Sequence, residues 1–309
     1  MDLSHINEVL KESFDQYKND TSGKNADYIP FLKNIPSELG ALAIVTAEGQ
    51  VFSVGDDNYR FAIESISKLC TLILALEQKG AISIKEKVGA SPTGMPFNSI
   101  MALELHGDKP LSPLVNAGAI STVSLLNEVS AEEKWDAILN VQRQLGSNEI
   151  YLSAELNHSE QTTNFHNRAI AWLLYSAGYV YSEPMEACDV YTRQCSTLIN
   201  VIELATIGAT LANQGINPFT KQQVLQKDNV PYVLAEMMME GMYDGSGEWA
   251  YNVGLPSKSG VGGGVVSVVP GVMGIAAFSP KLDGVGNSVR GQRMIQHISE
   301  KLNLSLFKV

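Results

Sequence analysis

The chain has 309 residues, 45% of them hydrophobic and 18% charged, with a net charge of −11. A chain of this length buries roughly three quarters of the surface its unfolded form exposes and needs no disulfides to stay folded. Its apolar and charged balance excludes an intrinsically disordered chain, and no apolar run is long enough to span a bilayer. The acidic charge excludes sequence-independent nucleic-acid binding, which requires basic patches to displace counterions from phosphates.

Along the chain, Ile6, Val9, Leu10 and Phe14 recur at helical spacing with acids between them. That pattern predicts an amphipathic helix, unlike the basic and apolar halves of an export signal, so a cytoplasmic location is expected. Ala41 to Ala47 and Gln50 to Val54 flank Glu48-Gly49 and predict a β-hairpin. Ser65 to Lys79 predicts a helix stopped by Gly80, and the capping box Ser130-x-x-Glu133 opens another that Gly146 stops. Further helices are predicted over Glu160 to Ala177, Thr197 to Asn213 and Val230 to Met242.

The chain ends with a second hairpin, Val265 to Val269 and Val272 to Phe278 around Pro270-Gly271, and a helix near Ser288 to Leu302. Sheet residues therefore come from both ends of the chain, and a helical block lies between them. The expected architecture is an α/β sheet domain from residues 1–62 and 250–309, with residues 63–249 inserted as an all-α lobe. Small ligands bind in clefts between such lobes.

Cys70, Cys188 and Cys195 are odd in number and sit in apolar or helical contexts, which predicts three reduced thiols in a reducing cytosol. The five histidines are scattered without zinc-ligand spacing, and no metal is expected.

Ser65-Ile66-Ser67-Lys68 carries the sharpest chemistry. A spacing of three places Ser65 and Lys68 on one helical face, near the positive end of the helix dipole where an alkoxide is favoured. A partly buried lysine loses proton affinity by desolvation and can accept a serine proton. The same spacing arises by chance on many helices, with the serine as a cap and the lysine solvated. Lys258-Ser259-Gly260 adds a second signal, because a Lys-Thr/Ser-Gly strand beside a Ser-x-x-Lys helix marks serine β-lactamases and penicillin-binding proteins. In that arrangement the N–H groups of Ser65 and Val261 converge on an oxyanion.

These residues resemble those of the serine-dependent, β-lactamase-like glutaminases, close to the short bacterial form. The resemblance runs through Ala26 to Pro30, Ser65 to Lys68, Gly94 to Ser99, Val115 to Ala119, Glu160 with Asn167, Tyr191 to Ser196, and Lys258 to Gly264. It implies an antiparallel sheet flanked by helices with an inserted helical domain. It also implies cleavage of the side-chain amide of L-glutamine to L-glutamate and ammonia through a γ-glutamyl ester, with no cofactor.

By the same resemblance Ser65 is the nucleophile, Lys68 its activating partner, and Tyr191 and Tyr243 are similar to tyrosines that contact the nucleophile and relay protons. Tyr28, Asn116, Glu160 and Asn167 match positions that hold the α-amino and α-carboxylate groups of the substrate. A zwitterion needs an acid for its ammonium and amide or hydroxyl donors for its carboxylate, and Glu160 and Asn167, seven apart on the predicted helix, fall on one face. A homo-oligomer, dimer or tetramer, is expected.

Two features stand apart. Glu64 occupies a place where many family members carry glutamine, adding a negative charge beside the nucleophile. Tyr191 is followed by Thr192-Arg193, unlike the Ser-x-Asn or Tyr-x-Asn second motif of penicillin-binding enzymes. A penicillin-recognising hydrolase and a silent amino-acid sensor stay open as alternatives at this point.

Overall fold

The apolar runs at the two ends of the chain build one sheet. The computed structural model describes residues 3–308, and it places strands β1 (Ala41–Thr46), β2 (Val51–Gly55), β3 (Phe61–Ala62), β4 (Tyr151–Leu152), β5 (Thr197–Ile199), β6 (Ser257–Ser259), β7 (Gly264–Val269) and β8 (Met273–Phe278). Both expected hairpins form, β1–β2 turning at Gly49 and β7–β8 at Gly271, where φ is 94° and 76°. The main sheet is antiparallel in the order β2-β1-β8-β7-β6, with β1 paired to β8 so that Ala41 faces Phe278 and Thr46 faces Met273.

Every residue of β1, β7 and β8 is buried because helices cover both faces of the sheet. Leu42, Ile44, Val265 and Ile275 pack against Ile6, Leu10, Met294 and Ile298 of the terminal helices Leu3–Tyr17 and Val289–Leu302. The alternate residues Ala43, Val45, Val266 and Phe278 join the larger core on the other face. There the helix Val201–Ala212 lies directly on the sheet, although it falls within the stretch expected to form the helical insert. It approaches so closely that a Cβ on Gly274 would stand 2.3 Å from the Ala205 carbonyl oxygen. The fold class is the one expected: an antiparallel sheet flanked by helices, with the β-lactamase-like arrangement of a Ser-x-x-Lys helix beside a Lys-Ser-Gly strand.

Three expected helices are altered by local chemistry. Ser65 lies in a short 3-10 turn, Glu64–Ser67, from which the helix Lys68–Lys87 continues, and at Gly80 the backbone leaves helical geometry (φ 75°, ψ 158°) before resuming. Thr197 to Ile199 is strand β5, so the following helix starts after Asn200, whose side chain and Glu203 form a capping box. The single helix expected from Glu160 to Ala177 is two, Ala154–Gln161 and Phe165–Ser176. Between them the Thr162 and Thr163 hydroxyls hydrogen-bond the His158 and Ser159 carbonyls, satisfying acceptors that an onward helix would have used.

A second sheet, β3-β5-β4, is only two or three residues deep, yet it gathers three distant segments. β3 leads into Ser65, β5 follows the helix Pro184–Cys195 that carries Tyr191, and β4 leads into the helix that carries Glu160. Among the described residues no helix is long and apolar enough to cross a membrane.

Candidate active site

Ser65 is buried at the 3-10 turn, and its Oγ accepts a hydrogen bond from the Lys68 Nζ at 2.6 Å. The turn brings the two side chains together by a single tight loop of backbone. Glu64 at φ 51° sets its direction, a left-handed conformation unusual for a residue with a side chain. Lys68 is fully buried and also donates to Asn116 Oδ1 at 2.9 Å. The Tyr191 hydroxyl donates to the same oxygen at 2.9 Å, and Asn116 Nδ2 donates to Asn167 Oδ1 at 2.9 Å. Asn116 opens the helix Asn116–Ser124, but its side chain is committed to the site rather than to the helix end. A continuous chain of hydrogen bonds thus runs from Ser65 through Lys68 and Asn116 to Asn167.

Glu160 accepts a hydrogen bond from the Ser196 hydroxyl at 2.9 Å. Glu160 and Asn167 do not share a helical face, as the sequence spacing suggested. They reach the same hollow because the chain bends between their helices, and both line a cavity of about 130 Å³ together with Tyr28, Phe97, Asn116 and His166. Tyr28 stands at the rim, more than half exposed, where an adjoining hollow begins. Hollows of about 320 and 450 Å³ lie elsewhere on the molecule, but neither contains the serine, the lysine or their partners.

Tyr243 closes the other side. Its hydroxyl donates to the Ser259 carbonyl at 3.1 Å, and the nearby Ser65 side chain lowers its proton affinity against the larger effect of burial. β6 ends against the segment before Ser65: a Cβ on Gly260 would stand 2.7 Å from the Ile63 oxygen, and one on Gly262 would stand 2.2 Å from the Ala62 oxygen. Only glycine permits that approach at these two positions. Val261 lies between them, buried, and its N–H donates to no main-chain oxygen.

Burial sets the proton affinities. Desolvation lowers Lys68 to about 8, with nearby acidic groups partly opposing it, so roughly a tenth of the molecules carry a free amine at pH 7. Burial pushes Glu160 up to about 7 against the opposing pull of the Ser196 hydrogen bond and Lys68. Tyr191 and Tyr243 are held well above the usual tyrosine range by burial, so both keep their hydroxyl protons. Glu64 is also held well above the carboxylate range, by burial first and by Glu160 second. Burial therefore opposes the negative charge expected beside the nucleophile.

Phe97, Ser196 and Cys195 belong to the site without having been singled out in the sequence. Phe97 lies against Tyr243 with ring centroids 4.7 Å apart and Lys68 Nζ 6.0 Å from its own centroid. Its signal was its place within Gly94 to Ser99; Ser196 and Cys195 had no signal beyond following Tyr191. Cys195 Sγ sits 3.6 Å from Ser67 Oγ, and burial pushes its thiol upward, which removes it as a rival nucleophile. Among the described residues no cluster of His, Cys, Asp and Glu is placed to hold a metal ion.

Comparison with known proteins gives the arrangement its context. The profile of the glutaminase family matches residues 23–307. The chain is 63% identical over 308 residues to Glutaminase 1 of Escherichia coli strain K12, covering 100% of this chain and 99% of that one. It is 64% identical over 306 residues to a glutaminase of Desulfovibrio desulfuricans, covering 99% of each. Among solved structures, a probable glutaminase, ybaS, superposes with a TM-score of 0.99 at 63% identity over 100% of both chains. A probable glutaminase from Bacillus subtilis, complexed with 6-diazo-5-oxo-L-norleucine, superposes with a TM-score of 0.87 at 30% identity, covering 98% of this chain and 96% of that one. With matches of this extent in both sequence and structure, the chain belongs to the glutaminase family and is a hydrolase acting on an amide.

Proposed function

We propose that the protein hydrolyses the side-chain amide of L-glutamine through a γ-glutamyl ester on Ser65. The observation that carries this reading is the 2.6 Å contact between Ser65 Oγ and a fully buried Lys68 whose amine is weakened by desolvation. Lys68 in its neutral form takes the Ser65 proton as Oγ bonds to the amide carbon. The Ser65 and Val261 N–H groups stabilise the oxyanion that forms. Collapse of this intermediate breaks the carbon–nitrogen bond and releases ammonia, the leaving nitrogen receiving its proton from the lysine through the retained tyrosine hydroxyl protons. Water then attacks the ester by the reverse proton path, freeing L-glutamate and Ser65.

The substrate's head group fits the remaining residues. Glu160 pairs with the α-ammonium, while Tyr28, Asn116 and Asn167 offer hydroxyl and amide groups to the α-carboxylate. The Bacillus subtilis relative was solved complexed with 6-diazo-5-oxo-L-norleucine, itself an amino acid. The buried, unpaired thiols of Cys70, Cys188 and Cys195 suit a reducing cytosol. The reading is tested by acid-quenching the enzyme during turnover and mapping its peptides. A γ-glutamyl ester on the Ser65 peptide is expected; an ester elsewhere, or none while ammonia is released in a burst, would overturn the mechanism.

Glu160 makes the affinity pH-dependent. In the free site its carboxyl titrates at about 7, whereas a bound ammonium favours the carboxylate, so binding releases a proton below that pH. Affinity should therefore rise with pH through about 7 and level off above it. Titration calorimetry with glutamine on Ser65→Ala is expected to show binding about tenfold or more weaker near pH 5.5 than near pH 8. Glu160→Gln should bind weakly at both. An affinity independent of pH would remove Glu160 as the ammonium's partner.

A further inference from the structure

Lys258 is the one element of the sequence signature that this mechanism leaves unused. It lies in the middle of β6 and is completely buried, yet both hydrogen-bond partners of its Nζ are main-chain oxygens: Gly241 at 3.1 Å and Ser259 at 2.7 Å. The Ser259 oxygen is also the acceptor of the Tyr243 hydroxyl, and the Tyr243 ring lies beneath the amine with its centroid 4.5 Å away. Ser259 N in turn donates to the Gly241 oxygen at 3.0 Å. The amine thus closes a loop that joins the end of the helix Val230–Glu240, the residue Tyr243 and the strand running to Val261.

We infer that Lys258 is a positioning residue for the reaction, which holds the Tyr243 hydroxyl and the strand end carrying Val261 against Ser65 without touching the substrate. The inference rests on the roles given above to Tyr243 and Val261. Its amine is fully buried and turned toward the Gly241 and Ser259 main-chain oxygens. What it does hold is strained: Tyr243 has φ 56°, a conformation a residue with a side chain keeps only when its surroundings impose it. Tyr243 also begins a 3-10 turn, Tyr243–Gly245, that has no side-chain cap of its own. A buried methionine would pack the same space at no electrostatic cost, so the amine's contribution lies in its N–H donors.

The donor count supports this. Burial and the adjacent Lys68 hold Lys258 well below the usual lysine range, Glu240 opposing only in part. Two carbonyl oxygens receive the N–H donors of its amine. Lys258 thus aligns the groups around Ser65 and Lys68.

The test is a double-mutant cycle with Tyr243→Phe, which removes the hydroxyl that Lys258 is argued to place. Lys258→Met keeps the stem and deletes the donors. It should lower kcat about 10²-fold, the scale of a misplaced catalytic group, while changing KM for glutamine by less than about twofold. In the Tyr243→Phe background the same substitution should cost about tenfold or less, because one of the two groups it places is already gone and only the strand end carrying Val261 is left to misalign. A melting curve establishes that each variant is folded. If Lys258→Met does not accumulate, Lys258→Gln, which retains two N–H donors on a shorter stem, serves in the cycle with an intermediate loss expected. Full activity of Lys258→Met, an undiminished cost in the Tyr243→Phe background, or a loss carried by KM would each overturn the inference. Should Tyr243→Phe itself be fully active, the role of Tyr243 in the mechanism fails first, and the inference with it.

Discussion

Replacement of Ser65 by alanine should lower ammonia release from L-glutamine by about 10⁴-fold or more while leaving glutamine bound. The substitution deletes the oxygen that receives the Lys68 hydrogen bond at 2.6 Å, the atom on which the proposed ester forms. It leaves Asn116, Asn167 and Glu160 with their own partners, because none of their hydrogen bonds passes through the serine oxygen. Residual turnover would come from the main-chain N–H groups at positions 65 and 261 and from substrate positioning. A coupled ammonia assay measures the rate and calorimetry the affinity. Turnover close to that of the unaltered enzyme would remove Ser65 from the chemistry, and loss of binding together with rate would assign it to recognition instead.

Lys68→Met should be nearly as damaging, by about 10³-fold to 10⁴-fold, and adding it to Ser65→Ala should cost little more. Members of one proton-transfer unit fail together, since either deletion disables the whole. The substitution also removes the donor that, with Tyr191, orients Asn116 Oδ1, so a modest rise in KM is expected beside the fall in kcat. The steady-state constants of the two single variants and the double variant decide the matter. An unimpaired Lys68→Met would move the base role to a tyrosine, although Tyr191 and Tyr243 both hold their protons far more tightly than the lysine does. At neutral pH a fraction of the lysine, but almost none of either tyrosine, is free to accept a proton, which is why the proposed base is Lys68.

Hydrophobic patterning made much of the framework legible. The two hairpins, the capping box at Ser130 and the final helix follow from local rules acting within a few residues, and the structure has each of them. Patterning failed where side chains compete for the backbone or where a strand is too short to have a period. Thr162 and Thr163 split one expected helix, and β3, β4 and β5 are each two or three residues long. No alternation can be read from such strands, yet they align the segments carrying Ser65, Tyr191 and Glu160.

The sequence by itself determined that Ser65 and Lys68 lie on one side of a turn, because a spacing of three in helical or near-helical backbone places both side chains on one face. It also determined the glycines that let the Val261 strand lie against that pair, since their spacing is a covalent fact. The tertiary structure alone decided the protonation states. Lys68 near 8, Glu160 near 7, Glu64 raised well above the carboxylate range and Lys258 lowered well below the lysine range all result from burial among groups far away in the chain. Desolvation depends on every neighbour at once, so it cannot be read from any local run of residues. The charge expected of Glu64 was the natural reading of an isolated acid, and enclosure in the folded core works against it.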